Sequence, residues 1–294
     1  MTAALPAGVV GTELSPAGHA RRRFFRNPVA VLGLVVLSLV VTASVLAPVL
    51  APFGPNEIDL QAVRQPPSSL HPLGTDSTGR DVLSRLLYGG RVSVAIGFLS
   101  AAIAVTVGTL LGVVAGWFGG LVDAIISRVV DIMLSVPPVL VVIVVAGVLG
   151  PSVPMLIAVI AGLSWPSSTR IARGVVLALR EEEFVQAARV LGSGSGYIIR
   201  RHLVPGVLPP VVVAATLLVS EAVLLESALS FLGAGVRPPQ PSWGNMLTEA
   251  QSLTVLSSMP WLWLPPGLMI AATVLSAMAL GDGVRDAVDP RRNA

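Results

Sequence analysis

Two carboxylates, Glu221 and Glu226, stand inside a long run of Val, Leu and Ala. An ionised group at mid-bilayer costs about 2.5–3.5 kcal/mol even on the lenient insertion scale, so such residues are functional suspects by default. The chemistry they offer is proton or cation coupling along a path. Five positions apart on a helix, they point roughly 140° from each other and do not form one site. Glu226 is expected near the outer end, within reach of water, with Glu221 deeper. Both are candidate pathway residues, and for Glu221 lining a path and bonding a neighbouring helix stand as equal alternatives. Arg128 and Asp131, three positions apart, are expected to pair as a structural contact.

Other chemistry finds little footing. The three histidines, His19, His71 and His202, are scattered, there is no cysteine, and neither HExxH nor GxSxG occurs. No catalytic residue, cofactor or metal site is therefore expected. Lysine is absent throughout. A Walker A loop needs Gly-Lys-Ser/Thr to hold phosphates, so this chain does not hydrolyse ATP by that route. Any ATP-driven step requires another polypeptide.

The densest charged, helix-prone segment is 180–205, which opens Arg180-Glu181-Glu182-Glu183. Negative charge suits the positive end of a helix dipole. Phe184, Ala187, Ala188 and Leu191 recur at helical spacing, offering one large anchor and a small-residue surface that another protein can approach closely. Gly192 is placed to stop the helix in a left-handed conformation. After Ser193-Gly194-Ser195-Gly196, a second short helix is expected over 197–204, closed at Pro205. The segment has the design of a docking surface.

The elements that position these residues follow from composition. Of 294 residues 53% are hydrophobic and only 12% charged, with mean hydropathy +0.81, against about 25% charged in soluble domains. The bilayer is the expected solvent, and the fold class is an all-α integral membrane protein. Six stretches can cross about 30 Å of hydrocarbon, near 29–51, 92–116, 127–149, 153–172, 206–229 and 260–281. The first follows Arg21-Arg22-Arg23-Phe24-Phe25-Arg26 and is too long for a signal h-region, so it reads as a retained anchor. Prolines 137, 138, 166, 209, 210, 265 and 266 predict kinks.

The basic pI of about 10.5 does not indicate nucleic acid, because the arginines are distributed as topology signals. With the N-terminus inside, the inner face collects Arg21, Arg22, Arg23, Arg26, Arg170, Arg173, Arg180, Arg189, Arg200, Arg201, Arg285, Arg291 and Arg292. The outer face keeps Arg64, Arg80, Arg85, Arg91 and Arg237. Both termini and the 180–205 island are thus expected in the cytoplasm. The predicted organisation is a tail at 1–28, a first span at 29–51, an outer loop at 52–91, a core at 92–281 and a tail at 282–294. Within the core lies a second outer loop at 230–259. Trp261 and Trp263 suit an outer interfacial belt.

Ala187-Ala188, then Gly192, then Pro205 downstream resemble the EAA loop of ABC-importer permeases, departing from it at Gln186, His202 and Val204. Three further segments, 73–91 with Gly79-Arg80-Asp81, 230–247 with Pro238 and Trp243, and 281–290, are similar to the second permease of the dipeptide/oligopeptide/nickel branch. The similarity spans about residues 20–291. It implies a type I importer permease bundle, with 180–205 as the coupling helix loop that docks a cytoplasmic ATPase. Glu183, Phe184, Gln186, Ala187, Ala188, Leu191, Gly192 and Pro205 carry that role. Gly74, Asp76, Gly79, Arg80, Asp81, Pro238 and Trp243 belong to loops expected to receive an extracytoplasmic substrate-binding protein, with Trp243 more a packing anchor than a ligand. The implied partners are a homologous second permease and two ABC ATPases in a bacterial inner membrane, with peptides as cargo and alternating access as mechanism. The alternative is an ion-coupled secondary transporter using the intramembrane carboxylates, which would expect internal repeats and clustered charges.

Overall fold

The computed structural model describes residues 16–288. The N-terminal tail before them and residues 289–294, with Arg291 and Arg292, lie outside the described residues. The chain begins with α1 (Pro16–Arg26), α2 (Pro28–Val45) and α3 (Ala47–Leu50), then an outer segment leading to α4 (Val82–Phe118). Next come α5 (Gly120–Ser135), α6 (Pro138–Leu149), α7 (Val153–Leu179) and the short α8 (Glu183–Val190). A turn of α9 (Ser195–Ile198) and a π segment (Ile199–Leu203) lead into α10 (Val204–Phe231). The remainder is α11 (Trp243–Met246), a 3-10 turn (Leu247–Gln251), α12 (Leu253–Ser258) and α13 (Pro260–Val288).

The all-helical membrane expectation holds. Among the described residues five helical runs are long and apolar enough to cross a bilayer: α2, α4, α7, Ser195–Phe231 and α13. A sixth span exists only if α5 and α6 are counted as one, and they are bent by 81°. The stretch expected as a straight third span is therefore broken. Val136 is extended, as a residue before proline prefers, and Pro138 restarts the helix at its first turn.

Two other boundaries move. The helix that carries the second span begins before 92: α4 starts at Val82 and runs for 37 residues, about 55 Å at 1.5 Å per residue, longer than the ~30 Å of hydrocarbon. Residues 82–91, expected within the outer loop, form its outer end. Gly89-Gly90 serves close packing: a Cβ on Gly90 would crowd Ser44 and the Trp243 ring. Likewise, Pro205 does not close a helix. The π segment bonds Val204 N–H to Ile199 O, and Pro205, which has no N–H to give, sits at the start of α10 with no break.

The tightest seam joins α4 to α7. Gly108, Gly112 and Gly116 recur every four residues and face Trp165–Thr169, Ala172 and Val176 in turn. A Cβ on Gly108 would lie 2.5 Å from Trp165 O. Between membrane helices the hydrophobic effect gives no drive, so small residues that admit close backbone approach supply the association. Similar contacts set α2 on α13 through Gly33 and Gly283, and α10 on α13 through Gly281.

Candidate functional site

The charged island forms one end of the bundle, where α7 stops and α10 begins. Val185 is fully buried and Ala188 half-buried against the bundle, packing with Trp117, Val176 and Leu203. Arg189 lays its guanidinium over the Trp117 ring, 4.2 Å from the centroid. Gly192 takes φ +81. Its N–H reaches Arg189 O and the Ser193 N–H reaches Ala188 O, both at 3.0 Å, the paired bonds of a Schellman stop. The helix is thus fixed by its inner face and its end.

Its outer face is bare. Phe184 is 47% exposed, Val190 88% and Leu191 85%, and Ala187 is exposed beside them. Ala188 is the correction here, because it leans on the chain's own bundle rather than outward. Gln186 turns back to donate to Glu181 O at 3.1 Å. Phe184 and Tyr197 both stack near His202, at 5.6 and 5.9 Å between centroids. Val190 was missed by the sequence reading, although its place between Ala187 and Leu191 on an amphipathic helix could have marked it.

At the other end, the segment before α4 folds into a cap pinned by two aspartates. Asp76 Oδ1 accepts from the backbone N–H of Thr78 and Arg80 and from the Thr78 hydroxyl, and Oδ2 from Arg80 Nε at 2.7 Å. Asp81 caps α4, its Oδ2 accepting from Ser84 N and Oγ, while His71 Nδ1 lies 3.0 Å from its Oδ1. The Ser77 hydroxyl ties the cap to Glu249 of the second outer loop. Trp243 is fully buried and donates from Nε1 to Leu86 O at 3.0 Å.

Gly74, Asp76, Gly79, Asp81 and Trp243 are therefore buried, and Arg80 is half-buried. Only Pro238 of the seven residues expected to face a binding protein is exposed. The correction has a plain cause: a folded loop must satisfy its own backbone groups, and Asp and Gly are the residues that do so. The large hydrophobics exposed on the cap are Ile58, Leu60, Val63 and Leu70.

Burial would raise the Asp76 carboxyl, but the hydrogen bonds from Arg80 and Thr78 and the Arg80 charge outweigh it and leave the pKa below 3.8. A depressed carboxylate adds stability above its unfolded value, and that contribution is lost as pH falls through the folded value. The cap should therefore hold at neutral pH and loosen only below about pH 3.8. Asp76→Asn should cost roughly 1–3 kcal/mol at neutral pH and flatten the acid response. Hydrogen exchange over residues 59–81 at pH 7 and pH 3 would read both; equal acid loosening in wild type and variant would refute the assignment.

Of the two intramembrane carboxylates, Glu226 departs from its expected contact with water. Glu226 is fully buried. Its oxygens accept from Ser93 Oγ at 2.9 Å and Ser230 Oγ at 2.7 Å, and Ser93 Oγ in turn accepts from Trp243 N–H. It is a hub joining α4, α10 and the second outer loop, and does not reach water. Serines four positions from a buried Glu (Ser230) are the signal that sequence could have offered. Glu226→Ala should cost roughly 1–3 kcal/mol for each hydroxyl left unpaired, seen as a lowered Tm in detergent, whereas Glu226→Gln keeps an acceptor and should cost less.

Glu221, by contrast, is exposed and lines a cavity of about 400 Å³ between α7, α10 and α13. Arg128 does not pair with Asp131. Asp131 accepts from Arg170 Nη2 at 2.6 Å, and Asp123 binds Arg173, which ties α5 to α7 across the bend.

Residues 108–294 match the family model described as the binding-protein-dependent transport system inner membrane component. Residues 15–67 match the N-terminal transmembrane domain of oligopeptide transport permease C. A protein of Brucella suis biovar 1, named as a peptide permease, is 44% identical over 96% of this chain and 93% of its own. The dipeptide transport system permease protein DppC of Alkalihalophilus pseudofirmus is 39% identical over 95% and 91%. Among solved structures, a chain of the inward-facing MetNI methionine ABC transporter superposes with TM-score 0.55 at 18% identity, covering 69% of this chain and 96% of that one. That likeness gives the type I importer fold. A bent multi-span bundle, an exposed helix at one end and these matches over nearly the whole length agree, and the chain belongs to the family of inner membrane components of binding-protein-dependent transport systems.

Proposed function

We propose that this chain is one of two permeases of an ATP-driven importer that takes short peptides from an extracytoplasmic binding protein. Two cytoplasmic ATPases do the hydrolysis, each docking on one permease through its 180–205 island. The carrying observation is the bare apolar face of α8, set on a helix fixed from behind and flanked by Glu181–Glu183 and Arg200–Arg201. A soluble surface of that kind marks a protein contact. The absence of lysine supports a separate motor.

The arginine distribution supports a cytoplasmic island and cytoplasmic termini, in a bacterial inner membrane. Peptide cargo is supported by the names of the relatives at 44% and 39% identity. Closure of the ATPases draws the two islands together and opens the path to a loaded binding protein; hydrolysis resets it. The two-state element is the helix bundle, biased by nucleotide through a rigidly held α8. Ion coupling is disfavoured because Glu226 is sealed among serines and Asp131 is paired.

The test is ATP hydrolysis and uptake by the complete complex in liposomes, with the neighbouring permease, ATPases and binding protein, against di- and tripeptides, glutathione and chelated Ni²⁺. Hydrolysis stimulated only by binding protein loaded with peptide is the expected result. Uptake driven by an ion gradient without ATP would overturn the reading.

A further inference from the structure

Glu221 and Glu226 lie on one helix yet differ in what surrounds them. Glu226 is closed in by hydroxyls, while Glu221 faces the cavity and has no hydrogen-bond or ion-pair partner among the described residues. A second group at this cavity is equally unsatisfied: Ser168 Oγ is wholly buried without a partner. Arg285, exposed on α13, also lines it and continues into an adjoining cavity beside Pro209 and Val213. The walls between are apolar, with Ile171, Val213 and Leu217. An intramembrane carboxylate and a guanidinium thus share one cavity without pairing with each other.

Resting on the reading of the chain as a peptide permease, we infer that this cavity is an end-group site: Glu221 receives the α-ammonium of a short peptide and Arg285 its α-carboxylate. The apolar walls accept side chains of varied size. Glu221 and Val213, which lines the adjoining cavity together with Arg285, are eight positions apart, about 12 Å along the helix. An extended chain covers ~3.3–3.6 Å per residue, so a peptide of about three or four residues spans the pair. Glu221 lies towards the Phe231 end and Arg285 towards the α8 end, so the carboxylate leads. Low-dielectric walls strengthen both attractions.

The test uses the full complex in liposomes with trialanine as cargo. Glu221→Gln should lower uptake at least tenfold and Glu221→Lys more, with ATP hydrolysis stimulated by loaded binding protein retained; Arg285→Ala should lower uptake similarly. The cysteine-free chain allows a second readout that needs no transport. A thiol from Leu217→Cys, one turn below Glu221, should react with a cationic water-soluble methanethiosulfonate and be protected by trialanine. Undiminished uptake by Glu221→Lys, in a complex whose wild type transports trialanine, would remove the end-group site and leave the permease reading standing. An unreactive thiol at 217 would do the same, by placing this face against lipid. No peptide uptake by the wild type would remove both.

Discussion

Ala187→Arg is expected to lower uptake by the reconstituted complex at least ~100-fold while leaving the chain folded. Ala187 is exposed and lies between Phe184 and Leu191 on the outer face of α8. A long side chain there meets nothing of the chain's own, and such surface changes move stability by about 0.5 kcal/mol or less. Pressed against an ATPase, the same cation is desolvated without a partner. A loss of about 3 kcal/mol at that contact is a factor of ~100. Ala188 would be a poorer probe, because it rests half-buried against the bundle. Uptake, co-purification of the ATPases and thermal melting should be read on one preparation. Wild-type uptake with unchanged ATPase binding would sink the docking role of α8.

Gly112→Leu is expected to prevent assembly of the bundle, with little folded chain recovered. A Cβ at this position would fall 2.6 Å from Thr169 O and 2.7 Å from Ala172 Cβ. Inserting side chains into a packed core costs typically ~1–3 kcal/mol when neighbours can adjust. Here the obstacle includes backbone, so α4 and α7 must part, and Gly108 and Gly116 lose their contacts with them. Gly112→Ala should fail in the same direction but less. Gly174→Ala on α7 is the control, since a Cβ there meets nothing within 4 Å, and in a helix it should be neutral or stabilising by ~0.5–1 kcal/mol. Equal melting temperatures for Gly112→Leu and wild type would refute the close seam.

The reading of α8 shows how far local pattern reaches. Its start near Glu183, its stop at Gly192 and its exposed Phe184 and Leu191 follow from dipole, glycine and spacing, all written within a dozen residues. Which face turns outward is not local. Val185 and Ala188 turn inward because Trp117 and Leu203, distant in sequence, come to meet them. The glycines at 108, 112 and 116 recur at helical spacing, a signal the sequence reading passed over, and their partner on α7 is not local.

Sequence alone determined the solvent, the helical class, the span count to within one bent pair, and the charged helical island at 180–205. These depend on hydropathy, length and charge summed over short windows, which hold whatever the neighbours are. Only the tertiary structure decided the fate of the polar residues. It buried Asp76, Asp81 and Trp243 as pins of the outer cap, sealed Glu226 among Ser93 and Ser230, and left Glu221 facing an open cavity. A carboxylate's role depends on whether donors from other helices surround it. That is a matter of long-range packing, and two glutamates in similar apolar surroundings on one helix cannot be told apart until the other helices are placed.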